Sequence, residues 1–586
     1  MKPQSVAPLA LPLFLPMAAA PTTANRTGSW STRQPRYQNK TAPCSSHCPC
    51  GEEIPRIEML AARGEFAAAW RAILQENPLP GCCGRVCFHP CEGNCNRSEL
   101  DAPVAINALE RFLDDQAHRA GLAPGLTPLP STGRRIAIAG AGPAGLAAAW
   151  FLTLLGHSCE IFEAAAEPGG LLRYGIPAYR LPAAVLEREI SRITTLGVPI
   201  HCDTAIDSGF MVAARARYDA LFVGCGNGRA LGLDIPGGEL ASDGLAFLHH
   251  CRAQDPAAVA IPGPATLPVA VIGGGNSAID IARTLVRLGR RATIVYRRRR
   301  ADMPAFAHEI TRALDEGVEL IELSAPLALS RQDGHLELSM QKMRTGEPGA
   351  DGRMRVVPLP GETAALTVAA VCTAIGAAAA PPWAEWIADA AALTLSHSRL
   401  YCREAGSLPV ILGGDLINRE ESVADAIASG KEAAIALDLL FRDGMAAVAP
   451  GVAQSRVGAG DSLSLEVYLG GPRASRSRRV VTWTDLNPDY FTPAPAERGR
   501  SLAPAAATGS FAEIESALEE EQALAQAARC CNCGLCNDCD TCRTFCPEAA
   551  VHLASARSVN PDYCKGCGIC ITECPRSAMT MEEPLS

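Results

Sequence analysis

Twenty-five of the 586 residues are cysteine, eight of them between Cys44 and Cys95 and eleven between Cys530 and Cys574. In the second group Cys536-x2-Cys539-x2-Cys542-x3-Cys546-Pro547 is followed by Cys564-x2-Cys567-x2-Cys570-x3-Cys574-Pro575. Three thiolates at this spacing bind one cubane, and the fourth cysteine of each run crosses to the neighbouring one. The pattern assigns Cys536, Cys539, Cys542 and Cys574 to one [4Fe–4S] cluster, and Cys564, Cys567, Cys570 and Cys546 to the other. Zinc, the alternative, needs four ligands per site and leaves the threefold repeat of C-x-x-C unexplained. Clustered metal-binding thiols in a long chain call for a reducing compartment, so the expected location is the cytoplasm.

Two glycine turns add nucleotide chemistry. Arg135-Ile-Ala-Ile-Ala-Gly140-Ala-Gly142-Pro-Ala-Gly145 reads as a strand, a G-x-G-x-x-G turn and a helix start, where a pyrophosphate sits on the helix N-terminus. The next strand, Cys159-Glu-Ile-Phe-Glu163, ends in an acid where a ribose hydroxyl needs an acceptor. A second turn, Gly273-Gly-Gly275-Asn276-Ser-Ala278, has the same design, but its following strand runs into Arg297, Arg298, Arg299 and Arg300. Guanidinium groups in that register pair with the 2′-phosphate of NADPH and find no partner on NADH. A solvated charge run is the competing interpretation. The first fold is expected to hold FAD and the second NADPH. The second is inserted into the first, because Val410-Ile-Leu-Gly-Gly-Asp415, followed by the helix from Val423, resembles the distal flavin-contacting element of two-dinucleotide-fold flavoproteins. Asp415 would meet the ribityl chain. Disulfide reductases share this layout but need a redox-active cysteine pair, and no C-x-x-C occurs between Cys159 and Cys402. Electrons must leave the flavin toward the cysteine-rich ends.

The elements that position these residues form several domains, since the chain is too long for one core. The expected fold class is α/β: two interleaved dinucleotide-binding (Rossmann-like) domains, an N-terminal helical iron–sulfur domain and a C-terminal α+β bacterial-ferredoxin domain. The expected boundaries are a disordered extension over 1–40, the helical domain over 41–125, the FAD domain over 133–265 and 391–445, the NADPH domain over 266–390, a connector over 446–528 and the ferredoxin domain over 529–586. In the connector, Arg473 to Arg479 is expected to be a solvated surface. A net charge of −9 offers no basic face for nucleic acid. The apolar run Ala7 to Ala20 makes a poor secretory signal, being interrupted by Pro8, Pro12 and Pro16, and no other run approaches a membrane span.

Specific motifs carry a resemblance. Cys44-x3-Cys48-Pro, Asn77-Pro-Leu, Gly84-Arg-Val-Cys87, Pro90-Cys91-Glu-Gly-Asn-Cys95-Asn and Gly169-Gly-Leu-Leu-Arg-Tyr-Gly-Ile-Pro-Ala-Tyr-Arg-Leu-Pro182 resemble the NADPH-dependent glutamate synthase small subunit, over roughly residues 41 to 445. The electron-entry half of dihydropyrimidine dehydrogenase is similar. The resemblance implies that Leu171 and Arg180 contact FAD and that the helical domain carries two clusters. One would use Cys48, Cys91 and Cys95, with Glu110 as a non-cysteine fourth ligand; the other would use Cys44 and Cys87. The family's R-C-x-x-C-G pair ahead of Cys44 is replaced here by Arg36 to Lys40, yet Arg529-Cys530-Cys531-Asn532-Cys533-Gly534 repeats that signature near the C-terminus. Cys530 and Cys533 either fold back to complete the cluster of Cys44 and Cys87 or merely extend the ferredoxin fold.

These motifs predict an NADPH-linked flavoprotein passing electrons from NADPH through FAD and [4Fe–4S] clusters to a partner protein, with no acid–base residue required. The partner would be a glutamate-synthase-like large subunit or a 2-oxoacid oxidoreductase; with the latter, electrons would run toward NADP. A non-catalytic scaffold subunit is the reading from a different class, and the intact glycine turns argue against it.

Overall fold

The computed structural model describes residues 26–253, 259–349, 354–387, 392–402, 408–418, 421–553 and 557–583. The Ala7 to Ala20 run lies outside them. No helix among the described residues is long and apolar enough to cross a membrane.

The larger sheet has seven strands, in the order Leu393–Thr394, Ser398–Tyr401, Val410–Gly413, Ala220–Val223, Arg135–Ala139, Ser158–Phe162 and Ile200–His201. The last five are mutually parallel. Arg135–Ala139 is buried from Ile136 onward, as a strand covered by helices on both faces must be. The strand Val410–Gly413 joins this sheet only after the chain has built a second one, so the second domain is an insertion. The second sheet runs Glu319–Ile321, Ala292–Val295, Val269–Ile272, Ala370–Thr373 and Ser242–Asp243, all parallel. Ser242–Asp243 therefore belongs to the inserted domain, which starts earlier than residue 266. An antiparallel ribbon, Arg229–Ala230 with Ala377–Ala378, joins the entering and returning chains.

One element departs from the expected parallel design. Ser324–Gln332, His335–Pro348 and Met354–Val368 form a three-stranded antiparallel sheet. Asp333 and Gly334 turn its first hairpin with φ of 41° and 84°. Two adjacent residues with positive φ match the right-handed twist of the strands on either side.

The N-terminal helices Ile54–Ala62, Phe66–Leu74, Pro80–Val86 and Ile106–Arg119 bury one face each. They dock on the FAD domain through Asp114, which accepts from Trp70 Nε1 at 3.0 Å and from Arg192 at 2.9 Å, and also receives Arg188.

Residues 26–40 are not a disordered extension. Gln34–Tyr37 pairs antiparallel with Met579–Glu582, and Lys40–Thr41 pairs with Ser477–Val480. The two ends of the chain share sheets. The connector is likewise built into the body: the helix Glu520–Ala528 packs on Ile54–Ala62. The expected solvated surface is also corrected at its first residue. Arg473 is 4% exposed and donates to the carbonyls of Gly51 (2.5 Å) and Glu52 (3.3 Å), since a buried guanidinium must spend its N–H groups on acceptors.

Candidate redox site

At the first glycine turn the backbone leaves no room for side chains. A Cβ on Gly145 would lie 1.9 Å from the Gly140 carbonyl, and one on Gly140, at φ +97°, would lie 2.8 Å from that of Gly224. The helix Pro143–Leu154 starts immediately after Gly142, aiming its free N–H groups at the turn. Glu163 accepts from the Ala141 N–H at 2.7 Å and the Ala165 N–H at 2.9 Å, which fixes its carboxylate beside the loop. Asp415 follows Gly414, whose φ is +65° and on which a Cβ would lie 3.0 Å from that of Ala144. Burial, followed by Glu421 and Asp425, pushes its carboxyl up to about 6. Leu171 stays 49% exposed. Arg180 differs from expectation: its guanidinium is committed to Asp280 at 2.6 Å and neighbours Glu309, so it ties the FAD domain to the inserted domain. The run from Gly169 to Pro182 hid this, because the partners lie 100 residues or more away.

The second turn is equally tight at Gly273 and Gly274, while a Cβ on Gly275 would meet nothing within 4 Å. A Cβ on Gly273 would lie 2.2 Å from the Ala374 carbonyl and one on Gly274 would enter the Tyr296 ring at 2.4 Å. Gly275 caps the helix Asn276–Arg287, Asn276 Oδ1 accepts from the Phe306 N–H at 3.0 Å, and Ala278 is fully buried. The four arginines divide. Arg299 makes two bonds to Asp302, at 2.8 and 3.0 Å, and the Arg300 side chain donates to Thr311. Neither Arg297 nor Arg298 is ion-paired among the described residues, and Arg298 Nε is buried with no hydrogen-bond partner. An orphaned guanidinium N–H beside a dinucleotide turn fits a phosphate.

The C-terminal cysteines surround two cavities. Cys536, Cys539, Cys542 and Cys574 line one; Cys546, Cys564, Cys567 and Cys570 line the other. Each crossing cysteine accepts a backbone N–H, Ala550 to Cys546 Sγ at 3.3 Å and Ala578 to Cys574 Sγ at 3.4 Å. Such bonds stabilise thiolate, the form that binds iron.

In the helical domain a third cavity is lined by Cys48, Cys50, Cys83, Cys87, Cys91 and Glu110. Cys95 is not among its walls. The expected sets are thus exchanged at one position: Cys87 accompanies Cys48 and Cys91, while Cys95 lies on the side of Cys44. The short helix Pro90–Gly93 turns the chain between Cys91 and Cys95. Spacing alone does not reveal that turn. Burial pushes the thiols of Cys87 and Cys91 well above their ordinary range, so thiolates here need a bound cation. Asn77 spans the cavity wall, donating to Glu52 at 2.9 Å and Glu110 at 2.8 Å. Burial raises both carboxyls.

Cys50, Cys83 and Glu52 received no role from the sequence, although Cys48, Cys50 and Glu52 place their ligand atoms within 4.8 Å of one another. Another missed element is Lys431, 0% exposed in the helix Val423–Asp443. Its Nζ donates to the Cys50 carbonyl at 2.6 Å, the Leu463 carbonyl at 3.2 Å and the Glu76 carboxylate. Ala424, beside Val423 in the same helix, lines the third cavity, and its carbonyl accepts from Cys50 Sγ at 3.7 Å.

Comparison with known proteins agrees with this anatomy. Residues 32–122 match the dihydropyrimidine dehydrogenase domain II 4Fe-4S cluster model, 134–430 the pyridine nucleotide-disulphide oxidoreductase model, and 557–580 a 4Fe-4S binding domain. The glutamate synthase [NADPH] small chain of Escherichia coli is 33% identical over 67% of this chain and 87% of its own length. The NADP(+)-dependent formate dehydrogenase subunit beta of Moorella thermoacetica is 34% identical over 69% of this chain, and the NADPH-Fe(3+) oxidoreductase subunit beta of Geobacter sulfurreducens 35% over 57%. The chain spans 60% and 51% of the length of those last two relatives. The chain belongs to the pyridine nucleotide-disulphide oxidoreductase family, in its glutamate synthase small chain branch, as an FAD- and NADPH-binding oxidoreductase with a 4Fe–4S domain at each end.

Proposed function

We propose that this chain is the electron-entry unit of a larger enzyme, carrying electrons from NADPH through FAD and [4Fe–4S] clusters to a partner protein. The observation that supports this most is the shared wall at Ala424. Val423 and Asp415 are the residues this reading sets against the flavin, and Ala424, the next residue in the helix, lines a cysteine cavity. FAD, when bound, takes a hydride's two electrons together and gives them up one at a time.

The chain's own residues hold and orient. Gly140, Gly142 and Gly145 admit the pyrophosphate of FAD, Glu163 its ribose, and Asp415 its ribityl chain, while Leu171 covers the mouth of the site. Gly273, Gly275, Asn276 and Ala278 form the NADPH turn, with Arg297 and Arg298 on the 2′-phosphate. Cys48, Cys87 and Cys91 hold the cluster nearest the flavin, with Glu110 as the candidate fourth ligand. The two C-terminal cavities hold the ferredoxin pair in the sets given above. Lys431 ties the flavin helix to the cluster domain through a buried polar joint.

The electron-accepting partner is of the glutamate-synthase-like large-subunit class, or of the 2-oxoacid oxidoreductase class if electrons run in reverse. Anaerobic titration tests the reading: NADPH should bleach the flavin and then reduce clusters seen by electron paramagnetic resonance, at far lower concentration than NADH. Flavin and iron both present but unreduced by NADPH would contradict it.

A further inference from the structure

Residues 431–556 lie outside every family match reported above, yet this stretch supplies two cysteines to the helical domain. We infer that Cys44, Cys95, Cys530 and Cys533 form a fourth [4Fe–4S] site assembled from both ends of the chain, lying between the flavin-side cluster and the ferredoxin pair. This inference rests on the proposed reading of the chain as a cluster-bearing flavoprotein.

Five hydrogen bonds bring the two ends together around these thiols. Asn96, next to Cys95, donates to Cys533 Sγ at 3.5 Å. Arg97 donates to the carbonyl of Arg529, next to Cys530, at 3.0 Å, and Arg529 returns to Asp101 at 2.8 Å. Asn532 donates to the Pro55 carbonyl at 2.8 Å. The Lys40 N–H donates to the Gly534 carbonyl at 2.8 Å, four residues ahead of Cys44. Gly534 has φ +74°, and a Cβ there would lie 2.8 Å from the Lys40 carbonyl, so the close approach needs glycine.

The four thiols are neighbours: Cys95 and Cys533 lie near Cys44, and Cys44 and Cys533 lie near Cys530. Cys530 Sγ accepts the Asn532 N–H at 3.3 Å, the same i+2 bond that Cys87 Sγ accepts from His89 at 3.5 Å in the flavin-side cavity. Glu58, 1% exposed, lies near both Cys44 and Cys530, and neither of its carboxyl oxygens has a hydrogen-bond partner.

The position gives the site a use. Cys91 has Cys44 as a neighbour as well as Cys48 and Cys87, so the flavin-side and composite sites adjoin. Cys533 lies three residues before Cys536, a ligand position of the first ferredoxin cavity. Each site takes one electron from its neighbour and passes one on, so two passages complete the oxidation of one NADPH.

The test is iron counting on the anaerobically purified full chain. Four sites require about 16 irons per chain, and without the composite site about 12 remain. Cys530→Ser/Cys533→Ser should lose about four irons while keeping FAD, and should leave the ferredoxin signals reducible by dithionite but no longer by NADPH. Cys95→Ser added to that pair should remove no further iron, whereas Cys87→Ser should remove about four more. Cys531→Ser, a buried neighbour, should keep every iron. A double variant with the full wild-type iron, or a wild-type chain with flavin and about 12 irons from which Cys87→Ser still removes about four, overturns this inference alone. A wild-type chain holding neither flavin nor iron overturns the reading beneath it. If the double variant does not fold, the wild-type count decides.

Discussion

Removing Arg297 and Arg298 together should separate the two nicotinamide dinucleotides cleanly. Both side chains lack an ion-pair partner among the described residues, so substitution by alanine breaks no internal bridge and leaves the fold intact. A hydrogen bond to a charged group contributes about 1.5–3 kcal/mol. Arg297 is exposed, and screening holds its share near the low end. The pair therefore contributes about 3 kcal/mol, roughly a hundredfold in the Kd for NADPH and nothing for NADH. Arg299→Ala is the internal control: its guanidinium is already held by Asp302, so its removal should change NADPH binding by no more than about threefold. Equilibrium titration of flavin-loaded protein with each dinucleotide reads all three values. The reasoning fails if Arg299→Ala is the more damaging change, or if the double variant loses NADH and NADPH affinity alike.

Three more expectations follow from the packing. Lys431→Met leaves the Glu76 carboxylate buried with Arg473 at 3.6 Å and with the backbone N–H groups of Leu465 and Glu466 and the Ser464 hydroxyl as donors, so denaturant unfolding should show the loss of one charged hydrogen bond, about 1.5–3 kcal/mol. An unchanged midpoint would mean the joint is not stabilising. Gly534→Ala forces a Cβ against the Lys40 carbonyl, and limited proteolysis should then release the C-terminal segment faster than in wild type. Glu189, fully buried against the Gly81 and Cys82 N–H groups, is pushed up to about 7 by burial and by Asp114. Its folded-state value lies above the unfolded one, so its contribution is present below about pH 4.5 and is lost as pH rises through about 7. Glu189→Gln should remove a stability decline of roughly 3–4 kcal/mol across that window, and an unchanged pH profile would contradict the assignment.

The glycine turns and the ferredoxin repeats were legible because their chemistry is local: a turn of fixed φ or a loop of fixed length sets the geometry within a few residues. The turn at Gly414 and Asp415 was legible for the same reason. The sequence did not disclose pairings across hundreds of residues. Tyr37 meets Met579, Arg180 meets Asp280, and Lys431 meets Glu76, and no periodicity encodes such contacts. Arg473 read as surface because charge runs usually are; only the carbonyls of Gly51 and Glu52, themselves turned inward, make its burial favourable. The exchange of Cys87 and Cys95 is subtler. Equal spacing on either side of Cys91 made the two look equivalent, and the short helix at Pro90–Gly93 distinguishes them. The resemblance to glutamate synthase small subunits pointed to the right domain and the wrong pairing within it.

The central claim is that electrons leave the flavin through the cavity of Cys48, Cys87 and Cys91 and reach the C-terminal ferredoxin clusters. Rapid-freeze electron paramagnetic resonance after mixing with NADPH, on wild type and on Cys87→Ser/Cys91→Ser, tests it most directly. The account requires the variant's flavin to bleach normally while its ferredoxin clusters stay oxidised, reducible only by added dithionite. Ferredoxin clusters reduced by NADPH as fast in the variant as in wild type would contradict it.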